Sequence, residues 1–290
     1  MVPLGLLIGL ALEMAAYVAA ARHFLGASWD LAALVAIAAL FGLRAVIVAV
    51  TWTFAAIFHS PAPRLTPWGW LHMVVGEYLA FLLTFVAVLP FERLWMPVDR
   101  LSPNPRPLLL VHGYGCSRGV WWRLRRQLEA AGYIVSTVSL VPPYTHIGKL
   151  VPLLQERIEE TCRTTGAERV VLVAHSMGGL VCRSYLSRFG AARVERLVTL
   201  ASPHAGSALA RIGIGANARE MEPGSRWLAD LAAESLRVPA VSLRTPHDNF
   251  VMPQDNQRLP GAQDVELAGI GHLAVLYADR TAAALLAALR

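Results

Sequence analysis

One serine lies at the junction between a short apolar run and a series of small residues. Ser176 is at the centre of Ala174-His-Ser-Met-Gly178, which follows the β-branched run 170–174 and precedes apolar residues at helical spacing. The pattern is G-x-S-x-G with alanine in the first glycine position, which is typical of a sharp turn from a strand into a helix. Such a turn strains the serine backbone, and we expect no side chain larger than a methyl to fit at positions 174 and 178. Ser176 is therefore the predicted nucleophile.

A nucleophilic serine needs a base within hydrogen-bond reach and a third group that orients the base. In chains with this strand–turn–helix junction, the acid and then the histidine follow the serine, each on a loop after a later strand. Among the histidines beyond Ser176, His272 lies in a Gly-rich loop before the last predicted helix. His204 comes too early in this order, and His247 is adjacent to the expected acid. We therefore predict His272 as the base.

The acid is expected at the end of the strand that precedes the histidine loop. Asp248 follows the predicted strand 238–243. Asp255 and Asp264 are competitors, but Asp255 lies deeper in the loop and Asp264 lies at the opposite end of the final strand. The order of elements therefore favours Asp248 as the group that orients His272.

Acyl transfer through a tetrahedral intermediate also requires two N–H donors for the developing negative charge. We expect one donor to be the backbone amide of Met177, which follows the nucleophile at the start of a helix. The second is expected from Tyr114, in the glycine-rich His112-Gly-Tyr-Gly115 that follows the first strand. By itself a His-Gly turn is a weak signal, but its position before the serine junction fits the required order.

The elements that must position these residues follow from an alternation of apolar strands and amphipathic helices after residue 107. This alternation predicts an α/β fold, with a mostly parallel sheet of about six strands and helices on both faces. Residues 107–290 are thus predicted to form one catalytic domain. The predicted strands are 108–112, 133–140, 170–174, 194–201, 238–243 and 265–268, and the predicted helices are 120–131, 147–165, 177–189 and 273–289.

The region before this domain has a different composition. Hydrophobic residues make up 55% of the 290-residue chain and charged residues only 16%, and the apolar excess lies in residues 1–90. Three apolar runs there are each long enough to cross a bilayer, so we predict three transmembrane helices. No basic stretch or small-residue cleavage site marks the first run as a cleaved signal peptide. The runs are 3–21, 31–58 and 70–90, and the prolines at 90, 97, 103, 105 and 107 predict a stiff linker over 91–106 rather than a helix or strand.

Three charged residues interrupt the apolar runs, namely Glu13, Arg44 and Glu77. Charges at membrane depth raise the question of a functional site, but pairing of Arg44 with one of the glutamates would simply fix helix packing, which is the interpretation we favour. The loop after the first run and the segment after the third run would lie on one side of the membrane. Together they contain more arginines than the loop after the second run, which would lie on the other side. The positive-inside rule therefore predicts a cytoplasmic C-terminal domain.

Composition also argues against other classes of function. The net charge is +6, but the arginines are scattered and form no basic run, so no nucleic-acid partner is expected. The three cysteines, Cys116, Cys162 and Cys182, have no metal-binding spacing and fit a reducing compartment. We predict neither a metal site nor a cofactor, and the sequence does not indicate an oligomeric state.

Together these motifs resemble the lipases and esterases of the α/β-hydrolase superfamily, with the greatest likeness to minimal bacterial lipases and to the lipid-deacylating PGAP1-like group. The resemblance covers 107–290 and not the membrane segment. It implies a triad of Ser176, Asp248 and His272 with Tyr114 and Met177 as oxyanion donors. No large lid is apparent, and 205–236 is the only segment that we expect to cover the site. The motifs are Leu110-Val-His-Gly-Tyr-Gly115, Val173-Ala-His-Ser-Met-Gly-Gly-Leu180, Thr199-Leu-Ala-Ser-Pro-His-Ala-Gly-Ser207, His247-Asp248 and Gly271-His272-Leu273.

The sequence thus predicts a membrane-anchored serine ester hydrolase that forms an acyl-enzyme on a lipophilic ester. The expected partners are a lipid or acyl-ester substrate and the membrane, and the expected location is a bacterial inner membrane. An acyltransferase with the same triad is an alternative, since only the acceptor that enters the pocket differs. A membrane transport or sensing protein with a hydrolase-like binding domain is a second alternative, based on the three intramembrane charges.

Overall fold

Three long helices precede a sheet domain in the computed structural model, which describes residues 2–290. All three helices are long and apolar enough to cross a membrane, in agreement with the predicted runs. The hydroxyl groups of Ser28 and Thr66 cap the second and third helices, and these caps determine where the two helices begin. The helices are α1 (Val2–Leu25), α2 (Trp29–Ile57) and α3 (Pro67–Leu82), and α3 continues as a π-helix over Leu83–Val88.

Six parallel strands form one sheet, which confirms the predicted sheet type and strand number. Their order across the sheet is β2-β1-β3-β4-β5-β6, so the chain crosses over after β2 and then proceeds in one direction. The predicted final strand lies two residues too far along the chain. The observed strand is an edge strand with mostly exposed side chains, and it therefore lacks the apolar signal of a buried strand. The strands are β1 (Leu108–Val111), β2 (Val135–Val138), β3 (Val170–His175), β4 (Val194–Leu200), β5 (Ala240–Arg244) and β6 (Gln263–Glu266).

Helices cover both faces of the sheet. Alternate residues of β1 point to opposite faces, so Leu109 packs in one core and Leu110 in the other. The first core also contains side chains of the helices at 147–165 and 177–189, and the second contains those of the helices at 122–130 and 279–289. The remaining helices of eight or more residues are α5 (Trp122–Ala130), α6 (Ile147–Thr165), α7 (Met177–Phe189), α9 (Arg226–Ala233) and α10 (Asp279–Leu289), and the shorter ones are α4 (Glu92–Trp95) and α8 (Ala216–Glu220).

Two local predictions are wrong. The segment 91–106 was expected to contain no helix, but it contains α4, because the Glu92 carboxylate accepts hydrogen bonds from Gly119 N (3.2 Å) and from the Ser117 hydroxyl. The closing helix begins at Asp279 rather than at 273. Residues before it form a short 3₁₀ turn, because the backbone N–H groups of Leu273 and Ala274 donate to a carboxylate of α3.

The helical segment and the sheet domain share a core. Val48 of α2 and Phe81 of α3 pack in one buried cluster with Leu273. The connection between α2 and α3 also bonds to the sheet domain, since Ser60 N donates to Gln254 Oε1 at 2.8 Å. Helices α2 and α3 and the connection between them therefore lie directly against the loops at the carboxyl ends of β5 and β6.

Candidate active site

Ser176 occupies the sharp turn between β3 and α7. Its φ of 55° and ψ of −130° lie outside the regions that non-glycine residues normally adopt, as expected for a strained strand–turn–helix junction. The turn is packed more tightly than the sequence suggested. A Cβ on Gly178 would lie 2.4 Å from the carbonyl oxygen of Val111, so even a methyl collides there. A Cβ on Gly113 would lie 2.7 Å from the Cβ of Ser176, so the β1 loop passes directly beside the serine.

The structure brings the predicted serine, histidine and aspartate together. His272 Nε2 lies 3.0 Å from Ser176 Oγ, and His272 Nδ1 lies 2.8 Å from Asp248 Oδ2. Asp248 is fully buried, and its Oδ1 accepts hydrogen bonds from the backbone N–H groups of Phe250 and Val251, both at 2.7 Å. The imidazole is thus held between a hydroxyl and a fixed carboxylate, the arrangement that lets a serine lose its proton to a base.

The two competing aspartates lie elsewhere. Asp255 bonds to Arg258 at 2.9 Å on the surface. Asp264, in the edge strand β6, bonds to Arg244 at 2.8 Å. Neither carboxylate is hydrogen-bonded to His272, so the geometry agrees with the choice of Asp248 made from the order of the strands.

The environment of His272 favours its protonated form. Burial by itself would lower the pKa of His272, but the charge of Asp248, the hydrogen bond that the ring donates to Asp248 and the charge of the Glu77 carboxylate raise it above its ordinary value. The ring stacks on Phe250 at 5.1 Å between centroids and lies 4.7 Å from the ring of His175. A base with a raised pKa can take a proton from a hydroxyl more readily than an ordinary imidazole.

Two other buried histidines next to the site have structural contacts. Burial lowers the pKa of His112 to about 4, so its ring is neutral and its Nε2 accepts a hydrogen bond from Leu140 N at 2.9 Å. Burial also keeps the pKa of His175 well below its ordinary value, and His175 Nε2 lies 3.1 Å from the carbonyl oxygen of His272. These rings connect the loops around the serine.

The two predicted oxyanion donors flank Ser176. Met177 is the first residue of α7, and Tyr114 follows Gly113 in the loop beside the serine. Within residues 2–290 neither backbone amide donates a hydrogen bond to a protein acceptor. The Tyr114 side chain is directed away from this role, because its hydroxyl bonds to the backbone of Ile214 at 2.7 and 2.9 Å.

The serine and histidine open into an apolar cavity of about 530 Å³. Part of its wall comes from the expected covering segment, including Ala210 and Met221. The expectation that only 205–236 could cover the site is wrong, because the apolar helices α1 and α2 and the π-helix after α3 cover it as well. Of the lining residues in the described part of the chain, none is Asp, Glu, Lys or Arg. The helical segment contributes Leu6 of α1, Val46, Ile47, Val50 and Thr51 of α2, and Phe85 of the π-helix.

With this geometry known, comparison with known proteins identifies the architecture. A family model described as the alpha/beta hydrolase fold matches residues 106–222. The mature form of Bacillus licheniformis lipase BlEst2 superposes with a TM-score of 0.59 at 20% identity, covering 67% of this chain and 96% of that protein. The chain has the α/β-hydrolase fold. Aspergillus fumigatus lipase B gives a TM-score of 0.57 at 16% identity, covering 63% of this chain and 52% of that protein.

The hydrolase domain also has curated sequence relatives among plant esterases. It is 30% identical over 86 residues to methylesterase 7 of Arabidopsis thaliana, covering 27% of this chain and 32% of the relative. It is 30% identical over 95 residues to the probable esterase PIR7A of Oryza sativa subsp. indica, covering 31% of this chain and 36% of the relative. The chain thus spans about a third of the length of these relatives. Over the matched residues its sequence is thus similar to esterases, on a domain with the α/β-hydrolase fold.

Sequence reasoning missed the contacts between the helices and this hydrolase site. As predicted, Arg44 pairs with a glutamate, which is Glu13. Glu77 is instead fully buried against the His272 loop. Asn249, next to the acid, connects that loop to Thr51 of α2. The charge of Glu77 within an apolar run was the only signal available for these contacts. Among residues 2–290 no cluster of three His, Cys, Asp or Glu side chains is placed to hold a metal ion.

Proposed function

We propose that this α/β hydrolase is a membrane-anchored serine esterase or lipase that cleaves a lipophilic carboxylic ester. The observation that carries the proposal is the chain of hydrogen bonds from Ser176 through His272 to Asp248, at 3.0 and 2.8 Å, at the wall of an apolar cavity. The similarity to esterases and lipases supports the same class of reaction.

The geometry supports a two-step reaction. His272 Nε2 takes the proton of Ser176 as Oγ forms a bond with the ester carbonyl carbon, and Asp248 stabilises the imidazolium. The amides of Met177 and Tyr114 stabilise the negative oxygen of the tetrahedral intermediate. Collapse of the intermediate breaks the bond to the alcohol, which leaves with the proton from His272. A water molecule then attacks the acyl-Ser176 ester with His272 again as base, and releases the acid.

Membrane anchoring is the second part of the proposal. The three apolar helices support it, as does the fact that Arg44 pairs with Glu13 rather than remaining as an isolated charge at membrane depth. The arginine bias further favours a hydrolase domain on the cytoplasmic side. Resistance of the protein to carbonate extraction would support anchoring, and release into the soluble fraction would contradict it.

Hydrolysis is tested with purified full-length protein in detergent. The substrates are 4-nitrophenyl esters of increasing chain length and phospholipids, and the variants are wild type and Ser176→Ala. We expect wild type to hydrolyse the esters and Ser176→Ala to lose at least about 10³-fold in kcat. Equal hydrolysis by both proteins, or none by a folded wild type, would refute a serine mechanism.

A further inference from the structure

The apolar cavity is built jointly by the hydrolase domain and the helical segment. Leu6, Val46, Ile47, Val50 and Phe85 line the same cavity as the reacting groups. Three of these side chains, Val46, Ile47 and Val50, are also 60%, 39% and 40% exposed on α2. The cavity therefore reaches the outer surface of α2, which would face lipid if the helix spans a membrane.

An opening on this side matters for an acyl chain. A chain that leaves the bilayer for a pocket open only to water must expose its methylene groups, which is unfavourable in proportion to the apolar area exposed. A chain that moves along α2 into the cavity stays in apolar surroundings throughout. The volume of about 530 Å³ lies within the range of cavities that bury most of a drug-sized ligand.

The lining also determines which part of a lipid could enter. Among residues 2–290 no Lys or Arg lines the cavity, so these residues offer no ion pair for an anionic headgroup within it. Ser176 and His272 contribute polar groups to a wall that is mostly apolar. Such a cavity fits the hydrocarbon chain of an ester whose carbonyl lies at Ser176.

We infer that this cavity is a binding site for the acyl chain of a lipid ester that resides in the bilayer and enters along α2, so that the membrane helices select the substrate. The inference rests on the proposed ester hydrolysis. It goes beyond anchoring, because α2 then forms part of the substrate site and does not only hold the enzyme at the membrane.

The test compares large side chains inside and outside the cavity. Val46→Trp and Val50→Trp narrow the cavity, and Leu34→Trp is the matched control, because Leu34 is 64% exposed on α2 and does not line the cavity. The measured quantity is the ratio of kcat/KM for 4-nitrophenyl palmitate to that for 4-nitrophenyl butyrate in detergent. We expect the two cavity variants to lower this ratio by about tenfold or more and Leu34→Trp to leave it unchanged.

An unchanged ratio in both cavity variants would overturn the inference, as would an equal change in Leu34→Trp. These outcomes differ from failure of the proposed function, in which wild type would hydrolyse neither ester. Hydrolysis of 4-nitrophenyl palmitate presented in phosphatidylcholine vesicles distinguishes bilayer entry from uptake of a dissolved monomer. The ratio of vesicle to detergent activity should fall in the cavity variants and not in the control.

A second feature, the buried carboxylate of Glu77, carries an independent inference. Glu77 is fully buried, and its two oxygens accept hydrogen bonds from Leu273 N at 3.0 and 3.1 Å and from Ala274 N at 2.8 Å. Gly271 is required beside it, because a Cβ there would lie 2.4 Å from Glu77 Oε2. The carboxylate thus binds the backbone that follows His272 and packs against Gly271, which precedes it.

We propose that Glu77 is a positioning residue that holds the His272 loop in the orientation needed for proton transfer. Polar side chains of the sheet domain also constrain the same histidine. Asp248 bonds to its ring, Asn249 accepts from its backbone N–H at 3.2 Å, and His175 contacts its ring and carbonyl oxygen. Glu77 belongs to α3, so a helix outside the hydrolase domain helps to hold His272 in position.

The variant Glu77→Gln keeps the size of the side chain but removes one acceptor and the charge. We expect kcat for 4-nitrophenyl butyrate to fall by about tenfold with KM nearly unchanged, because the substrate site is intact but the base is misaligned. The acid limb of the pH profile should move to lower pH, since a negative charge near His272 is removed. The control is Glu13→Gln, the other intramembrane glutamate, which should change neither kcat nor the profile.

A variant that is less thermally stable but keeps the wild-type pH profile and kcat per folded molecule would show that Glu77 is only structural and would overturn the proposal. Glu77→Asp provides a further measurement, because its shorter carboxylate retains the charge. It should preserve the wild-type position of the acid limb even where kcat falls. A wild type without esterase activity would instead refute the proposed function.

Discussion

Asn249 Nδ2 donates a hydrogen bond to the hydroxyl of Thr51 at 2.7 Å, while Asn249 Oδ1 accepts one from His272 N at 3.2 Å. The buried side-chain amide of Asn249 therefore connects the apolar helix α2 to the backbone of His272. Both Asn249 and Thr51 are buried. Because a buried amide without a partner is costly, this pair fixes the position of α2 against the His272 loop.

Replacing Thr51 with valine should weaken this connection. The variant Thr51→Val keeps the shape of the side chain but leaves Asn249 Nδ2 without its acceptor, and we expect a loss of about 1–3 kcal/mol of stability. Thermal unfolding in detergent measures the effect. The matched control is Thr53→Val, because Thr53 is exposed and its hydroxyl bonds only to Ala49 O of its own helix. Equal stability of the two variants would contradict the role of the Thr51 contact.

Asp248→Asn should leave the fold largely intact but remove the charge that orients His272. We expect kcat to fall by about 10⁴-fold, the loss seen when the triad aspartate of a serine protease is replaced by asparagine. Asp255→Asn is the control, since Asp255 bonds to Arg258 on the surface. The assignment would be wrong if Asp255→Asn impaired hydrolysis as strongly as Asp248→Asn.

The pH dependence follows from the raised pKa of His272. A base that must be neutral loses activity as the pH falls through its pKa, and this pKa lies above the ordinary value of 6.5. Asp248, Glu77 and His175 are the titratable groups that face the ring. We therefore expect the acid limb of kcat/KM to have its midpoint above about pH 6.5, as for a base held by a carboxylate. The measurement is butyrate release by chromatography across pH, and a midpoint well below that of a free imidazole would contradict the account.

The glycine after the nucleophile turn should not tolerate alanine. In Gly178→Ala the new Cβ would lie 2.4 Å from Val111 O and 2.8 Å from His112 O, and we expect a loss of about 1–3 kcal/mol from overpacking. Gly148→Ala is the matched helical control, because nothing lies within 4 Å of its Cβ, and it should gain up to about 1 kcal/mol. Calorimetry of both variants checks the pair. Similar melting temperatures would show that the turn relaxes without cost.

The sequence was informative where a local pattern determines local structure. The limits of α6 and α7 match the predictions, because amphipathic spacing and a following Gly166 or Gly190 determine them. Ser176, Asp248 and His272 could be selected because strand order dictates which loops meet at one edge of a parallel sheet. The hydrogen-bonded residues are distant in sequence, since His272 lies 24 positions from Asp248 and 96 positions from Ser176.

The contribution of the helical segment could not be predicted. Val46, Val50 and Leu34 are all apolar, so composition does not distinguish a residue that lines the cavity from one that is only exposed on the outer surface of α2. Glu77 stands out in the sequence as a charged residue within an apolar run. Its hydrogen-bond partners are backbone N–H groups, however, and these leave no signal in the sequence. The edge strand β6 and the helix α4 depend in the same way on tertiary contacts.

The most direct test of the central claim is covalent labelling of the full-length protein by a fluorophosphonate, followed by mass spectrometry of the modified peptide. Serine hydrolases react with such phosphonates because the base activates the nucleophile toward the phosphorus atom. The account predicts one adduct on Ser176, strongly reduced in Asp248→Asn and in His272→Ala and absent in Ser176→Ala. Folded wild-type protein that remains unlabelled, or a label on another serine that persists in Ser176→Ala, would contradict it.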